Sequence, residues 1–164
     1  MADVIVRTAH ESDADAIGAL WSELVAYHHA LDAGLPQAAP NGPDHYAQAL
    51  HDHLNSPVTR VLVAEADGCV VGYVLGVAAD MVSSLFMHET AGFIADLYVR
   101  PDFQRQGVGR QLVLAIHDWF TRQGVKQAEW YVAVKNESAQ AFWRALGGAP
   151  LLMRMRSQWP EEQP

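Results

Sequence analysis

Two glycines stand at the start of a helix-forming stretch, in Gln104-Arg105-Gln106-Gly107-Val108-Gly109-Arg110. The chemistry open to this arrangement is anion binding. The first turn of a helix carries unpaired N–H groups and the positive end of the helix dipole. Glycine lets the backbone close on a ligand, and Arg105 and Arg110 add positive charge at the same place. A pyrophosphate is the natural fit. Gly107 and Gly109 alone could equally make a tight turn. The joint pattern of strand, arginines, glycines and a long amphipathic helix favours the anion site. A Walker loop is excluded, because the Gly-Lys-Ser/Thr end is missing. A dinucleotide fingerprint would need a third glycine where Leu112 stands; Glu129 does lie at a suitable distance, so this reading is kept as an alternative.

The second chemical feature is a carboxylate inside a strand. Asp96 sits in Phe93-Ile94-Ala95-Asp96-Leu97-Tyr98-Val99. Burying an unpaired charge is costly, so Asp96 is a candidate catalytic group, with pairing to an arginine or a solvated groove as the plainer explanation. The eight histidines do not make a metal site on spacing. His28-His29 and His51-x-His53 lack the i, i+4 separation that puts two ligands on one helix face, so no metal is expected. The lone Cys69 supports neither an intramolecular disulfide nor a cysteine-rich zinc site.

These residues need elements to position them. The pattern gives a short strand at about 3–8 and a helix opening at Ser12-Asp13-Ala14-Asp15, with Ile17, Leu20, Trp21, Leu24 and His28 on one face. A loop follows over Ala33–Pro43, then a helix over about 43–54 whose apolar face is thin. Thr59–Ala64 and Val70–Leu75 flank Asp67-Gly68, a hairpin signal. Asp80–Ala91 reads as a loop, Phe93–Val99 as a strand and 107–123 as the firmest helix, stopped by Gly124. A strand at Glu129–Val134, a helix capped by Asn136 and ended by Gly147-Gly148, and a terminal strand alternating Met153 and Met155 with Arg154 and Arg156 complete the chain. The order is α+β or mixed α/β, not a repeated βαβ pattern.

Length and composition fit one globular domain: 164 residues, half of them apolar and 18% charged. No basic-then-apolar leader and no run of membrane-helix length is present in the sequence, so the expected setting is cytoplasmic, with no membrane partner. The formal net charge of −8 is unevenly placed, with −10 over residues 1–90 and +2 over 91–164. The acidic half argues against nucleic acid as a partner.

Gln104-Arg105-Gln106-Gly107-Val108-Gly109 resembles the (Arg/Gln)-x-x-Gly-x-(Gly/Ala) pyrophosphate loop of the GNAT superfamily of N-acetyltransferases. Asp96–Pro101 looks like that family's fourth strand and its exit, and Asn136–Gly147 is similar to its Asn-x-x-Ala helix. The resemblance implies a GNAT-like α+β fold over residues 1–160, with 161–164 as a tail. Its centre would be a mixed, mostly antiparallel sheet flanked by helices, with the fourth and fifth strands splayed. It implies acetyl-CoA as acetyl donor. Backbone groups of Leu97 and Val99 would hold the pantetheine arm and acetyl carbonyl. The loop Gln104, Arg105, Gln106, Gly107, Val108, Gly109 and Arg110 would hold the pyrophosphate, and Asn136, Phe142 and Trp143 would line the arm.

The family often takes a proton donor from a Tyr where this chain has Trp143, whose indole N–H is not a usable acid. Tyr98, Tyr131 or solvent are the substitutes. Some members carry a base where Ala95 stands; here Asp96 is expected to take the amine proton or orient the amine. The acceptor, a small-molecule or peptide amine, would meet Tyr27, His28, His29 and Asp32, with His88 and Glu89 from the later loop. An acidic pocket there would favour a cationic amine. Trp130-Tyr131-Val132 serves sheet packing or a homodimer surface. The reading is direct acetyl transfer in a ternary complex. Its alternatives are a catalytically silent acyl-CoA-binding module on the same fold and a nucleotide-binding protein of another class.

Overall fold

The structure, a computed structural model, describes residues 3–79, 90–157 and 159. Within these residues one sheet of five strands runs in the order β1-β2-β3-β4-β5. The strands are β1 (Val4–Thr8), β2 (Thr59–Ala66), β3 (Cys69–Ala79), β4 (Ala91–Val99) and β5 (Ala128–Trp130). The first three pairings are antiparallel and β4–β5 is parallel, the mixed sheet expected. Among the described residues four helices flank it: α1 (Ala14–Leu31), α2 (Gly42–Asn55), α3 (Val108–Arg122) and α4 (Glu137–Ala145).

The side-chain alternation of the strands divides the core in two. On one face Val61, Val63, Tyr73, Leu75 and Tyr98 pack with Ile17, Leu20 and Leu24 of α1 and Leu50 of α2. On the other, Leu62, Ala64, Val74, Ile94 and Val99 pack with Leu112, Ile116, Trp119 and Phe120 of α3 and Trp143 of α4. Each fully buried Leu or Ile contributes about 1.5–3 kcal/mol relative to exposure. The hairpin between β2 and β3 turns at Asp67 (φ 50°) and Gly68 (φ 77°), the two positive values that a type I′ turn requires. The start of α1 departs slightly from expectation. A 3-10 turn at Glu11–Asp13 precedes it, and Asp13 accepts from the His10 N–H (2.8 Å) while Arg7 grips both its carboxylate oxygens (2.7 and 2.9 Å).

Two expectations fail. The strand read at Glu129–Val134 ends at Trp130, where the chain turns away toward α4. The terminal strand at Met153–Arg156 does not form. Residues 151–157 are exposed, and Arg156 donates to the Gly34 carbonyl (2.6 Å) rather than joining the sheet. The alternation was real, but a strand needs a paired edge to satisfy its backbone. The loop read over Asp80–Ala91 falls, through residue 89, outside the described residues.

Candidate active site

The site begins with an irregularity in β4. Leu75 pairs with Asp96 but Gly76 pairs with Ile94, so Ala95 is an extra residue, a β-bulge. Beyond it, Arg100 donates to the Val71 carbonyl (2.9 Å) from its directly opposite position. Hydrogen-bonded and non-bonded pairs alternate along an antiparallel ladder. Tyr98 and Asp96 therefore direct their backbone groups to β3, while Leu97 and Val99 direct theirs toward β5. The β4–β5 ladder stops at Ile94↔Trp130. The N–H groups of Leu97 and Val99 thus face a slot between two diverging strands. The Val99 carbonyl accepts from the Gln104 side chain (2.8 Å), so Gln104 ties the strand exit to the following loop.

That loop ends at the N-terminus of α3. Arg105 (φ 61°) and Gly107 (φ 86°) both adopt the left-handed conformation, and this turns the backbone N–H groups of the loop outward. Among the described residues, none of the N–H groups from Arg105 to Arg110 has a hydrogen-bond acceptor. Val108 is buried and anchors the turn, whereas Arg105 and Arg110 are exposed beside it. Gln106 is bound back to the Asp102 carbonyl (2.7 Å) and so shapes the loop. A Cβ on Gly109 would lie 3.4 Å from Phe142 and 3.9 Å from Val99. The structure therefore brings together β4, the glycine loop and α4, as the motifs implied.

At the start of α4, Asn136 is 5% exposed and caps the helix: its Oδ1 accepts from the Ala139 N–H (3.0 Å). The same oxygen accepts from the Tyr27 hydroxyl of α1 (3.5 Å), which crosses the slot. Trp143, two helical turns on, is buried and stacked on Trp130 with ring centroids 4.2 Å apart.

Asp96 lies on the opposite face of the sheet, toward α1 and α2. Among the described residues it meets no arginine. Its Oδ2 accepts from the Tyr46 hydroxyl (2.7 Å), and His28 and His53 stand near enough to act on its charge. Burial raises the Asp96 carboxyl above the usual carboxylate range; the Tyr46 bond and the two histidines oppose this. Burial, and after it the same carboxylate, raises Tyr46 and Tyr73, while burial lowers His28 and Asp96 opposes that. The Tyr73 hydroxyl is buried beside the Tyr46 ring with no partner among the described residues. A groove of about 370 Å³, lined by Trp21, Val25, Ala38, His45 and Tyr46 among others, opens beside Tyr46.

On the acceptor side, His28 lies near Asp96 and Tyr27 at the slot. Asp32 follows at the C-cap of α1. It pairs with Lys135 (3.2 Å) and accepts from the Gly34 N–H (3.0 Å), which lowers its carboxyl, the Gly34 bond most. His29 faces the Leu35 carbonyl (3.1 Å). His88 and Glu89 lie outside the described residues. Tyr98 donates to Glu23 (3.2 Å) and is pushed up to about 12 by burial and that carboxylate. Tyr46, His53 and Glu23 were not foreseen. The thin apolar stripe of α2 was the signal for Tyr46 and His53, since Tyr46, Leu50 and His53 at i, i+4 and i+7 make a partly polar inward face; Glu23, on α1, had none.

Comparison with known proteins agrees with this geometry. The model of the acetyltransferase (GNAT) family matches residues 24–147. Thialysine N-epsilon-acetyltransferase of Bos taurus is 28% identical over 158 residues, 92% of this chain and 87% of its own. Aminoglycoside N(6')-acetyltransferase type 1 of Salmonella typhimurium is 29% identical over 97 residues, 58% of this chain and 63% of that enzyme's length. Among solved structures, a Bacillus halodurans protein superposes with a TM-score of 0.85 at 19% identity, covering 94% of this chain and 99% of that one. The aminoglycoside N-acetyltransferase AAC(6')-Iy in complex with CoA gives 0.74 at 18% identity, covering 98% and 97%. A match over three-quarters of the chain, on the residues that build the loop, the slot and the Asn136 cap, settles the assignment: this chain belongs to the acetyltransferase (GNAT) family.

Proposed function

We propose that the protein transfers an acetyl group from acetyl-CoA to a primary amine, by direct attack in a ternary complex. The observation that carries this is the slot between β4 and β5, with the Leu97 and Val99 N–H groups turned toward it and away from β3, and at its mouth the α3 cradle, whose N–H groups have no acceptor among the described residues. The pyrophosphate of the donor would lie on Arg105 to Arg110 and its arm between β4 and Asn136. The N–H donors of the slot wall would receive the thioester carbonyl and strengthen as it becomes an oxyanion. Asp96 would take the proton that the amine loses, directly or through one water, and Tyr46 and the two histidines set its basicity. Cys69 is exposed at the start of β3, five residues or about 16 Å of strand from Val74, the partner of Leu97, which supports attack by the amine itself rather than an acyl-thiol intermediate. The relatives' names supply two amine classes to try, an aminoglycoside and thialysine.

One observation favours a second reading. Trp143 fills the place of the family's proton donor and is buried in packing, as suits a module that binds acyl-CoA without turnover. Calorimetry with acetyl-CoA, followed by thiol release across a panel of kanamycin, thialysine, spermidine and phenethylamine, tests both. Binding with amine-dependent thiol release supports transfer. Binding with none supports the silent module. No binding overturns both.

A further inference from the structure

Trp143 leaves α4 without a proton donor for the departing thiolate, and the structure offers one from α1. The chain has five tyrosines. Tyr73 is buried and Tyr46 half-buried beside Asp96, on the sheet face away from α4. Tyr98 gives its proton to a bond with Glu23. Tyr131 packs edge-on against Phe93, where β4 and β5 are still paired, at the closed end of the slot. Tyr27 remains. It stands 42% exposed near the C-terminus of α1, and its hydroxyl reaches across the open end of the slot to the Asn136 side chain. That bond is long, at 3.5 Å, so the hydroxyl is lightly held and can turn to another acceptor. Asn136 and Trp143 are seven residues apart on α4, two turns, and so share one helix face. Tyr27 therefore brings a phenol, from the facing helix, to the N-terminal end of the helix face on which Trp143 supplies no acid.

We infer that Tyr27 is the general acid of this protein, protonating the thiolate that leaves as the acetyl group is transferred. This rests on the acetyltransferase reading above. As the carbon–sulfur bond breaks, sulfur keeps the electron pair and takes the phenolic proton. The phenolate regains a proton from solvent, which receives the one that the amine gave up through Asp96. The balance is amine plus acetyl-CoA to amide plus CoA, with no further reactant.

The test is Tyr27→Phe, which removes one oxygen from a part-exposed side chain. Single-turnover thiol release is measured with the amine panel above, beside acetyl-CoA affinity by calorimetry and thermal melting. The expected result is a roughly 100-fold slower release, the usual scale of lost acid catalysis. Acetyl-CoA affinity stays within twofold and the melting temperature is unchanged. Release at the wild-type rate overturns the inference. So does a loss of rate matched by an equal loss of acetyl-CoA affinity, which would make Tyr27 a binding group. If the wild-type protein releases no thiol with any amine, the acetyltransferase reading fails first and the inference falls with it.

Discussion

Replacing Tyr46 with Phe isolates what sets the basicity of Asp96. The ring stays, with its stacking on Trp21 at 5.1 Å and 13°, and one hydroxyl is lost from a 2.7 Å bond to Oδ2. A hydrogen bond to a charged group is worth about 1.5–3 kcal/mol. One pH unit corresponds to about 1.4 kcal/mol between two protonation states. The full bond would thus move Asp96 by one to two units, and a water entering the vacated space recovers part of it, leaving about one. The direction is upward, because the lost bond favoured the charged form while burial, the larger influence, remains. Two assays check this. The ¹³C carboxyl shift of Asp96, followed against pH, gives the titration with no substrate present. The acidic limb of kcat/KM should move upward by the same amount, with the plateau reached at higher pH. An unchanged titration would refute the hydrogen-bond argument; a shifted titration with an unmoved limb would refute Asp96 as base. Stability has its own sign. The folded Asp96 already binds its proton more tightly than the unfolded chain does, so its contribution is full at low pH and fades as pH rises through the folded value. Tyr46→Phe should therefore cost stability near neutral pH and much less in acid.

Asp96→Asn should lower kcat/KM at least several-fold while leaving acetyl-CoA affinity intact by calorimetry. Gly107→Ala forces a Cβ onto a φ of 86° and should cost about 1–2 kcal/mol in denaturant unfolding, although that Cβ would meet no protein atom within 4 Å; acetyl-CoA affinity should fall as well. Gly109→Ala meets Phe142 at an ordinary 3.4 Å, so its melting temperature should hold or rise. Arg7→Ala strands Asp13, which is 7% exposed, and should cost about 2–3 kcal/mol. Arg7 holds the Asp13 carboxyl below its usual value, so the wild-type advantage should vanish as pH falls through that lowered range.

The sequence was most legible where one local rule decides the outcome. Asp67-Gly68 needed two positive φ values and has them. Asn136 looked like an N-cap and accepts the Ala139 N–H. The spacing of Leu112, Ile116, Trp119 and Phe120 fixed the buried face of α3. It was least legible where partners lie far apart in the chain. Asp96 drew notice as a carboxylate in a strand, but its partner Tyr46 is fifty residues away on a helix whose apolar stripe was weak. The bulge at Ala95, which sends Leu97 and Val99 toward the slot, is a matter of register between strands and leaves no mark in composition. The Met153–Arg156 alternation misled for the complementary reason: period two describes side chains, while strand formation depends on an available backbone partner.

The charge asymmetry acquires a different meaning once the side chains are placed. Residues 1–90 carry −10, which suggested an acidic basin for a cationic acceptor. Their described carboxylates are not pooled. Asp13 and Glu65 share Arg7, Glu11 faces His51, and Asp32 faces Lys135. Asp3, Asp15, Asp44, Asp52 and Asp67 are exposed. Solvent-facing charges more than a Debye length, about 8 Å at physiological salt, from a bound ligand act on it weakly. What faces the sheet beneath α1 is Glu23, held to Tyr98, and Asp96, held to Tyr46. An amine would thus meet one or two placed carboxylates among aromatic and imidazole rings, not a broad negative field. Positive charge is concentrated instead: Arg100, Arg105 and Arg110 are all exposed around the opening of α3. Salt should accordingly weaken donor binding more than acceptor binding, because the donor would be held by three exposed arginines and the amine chiefly by the half-buried Asp96.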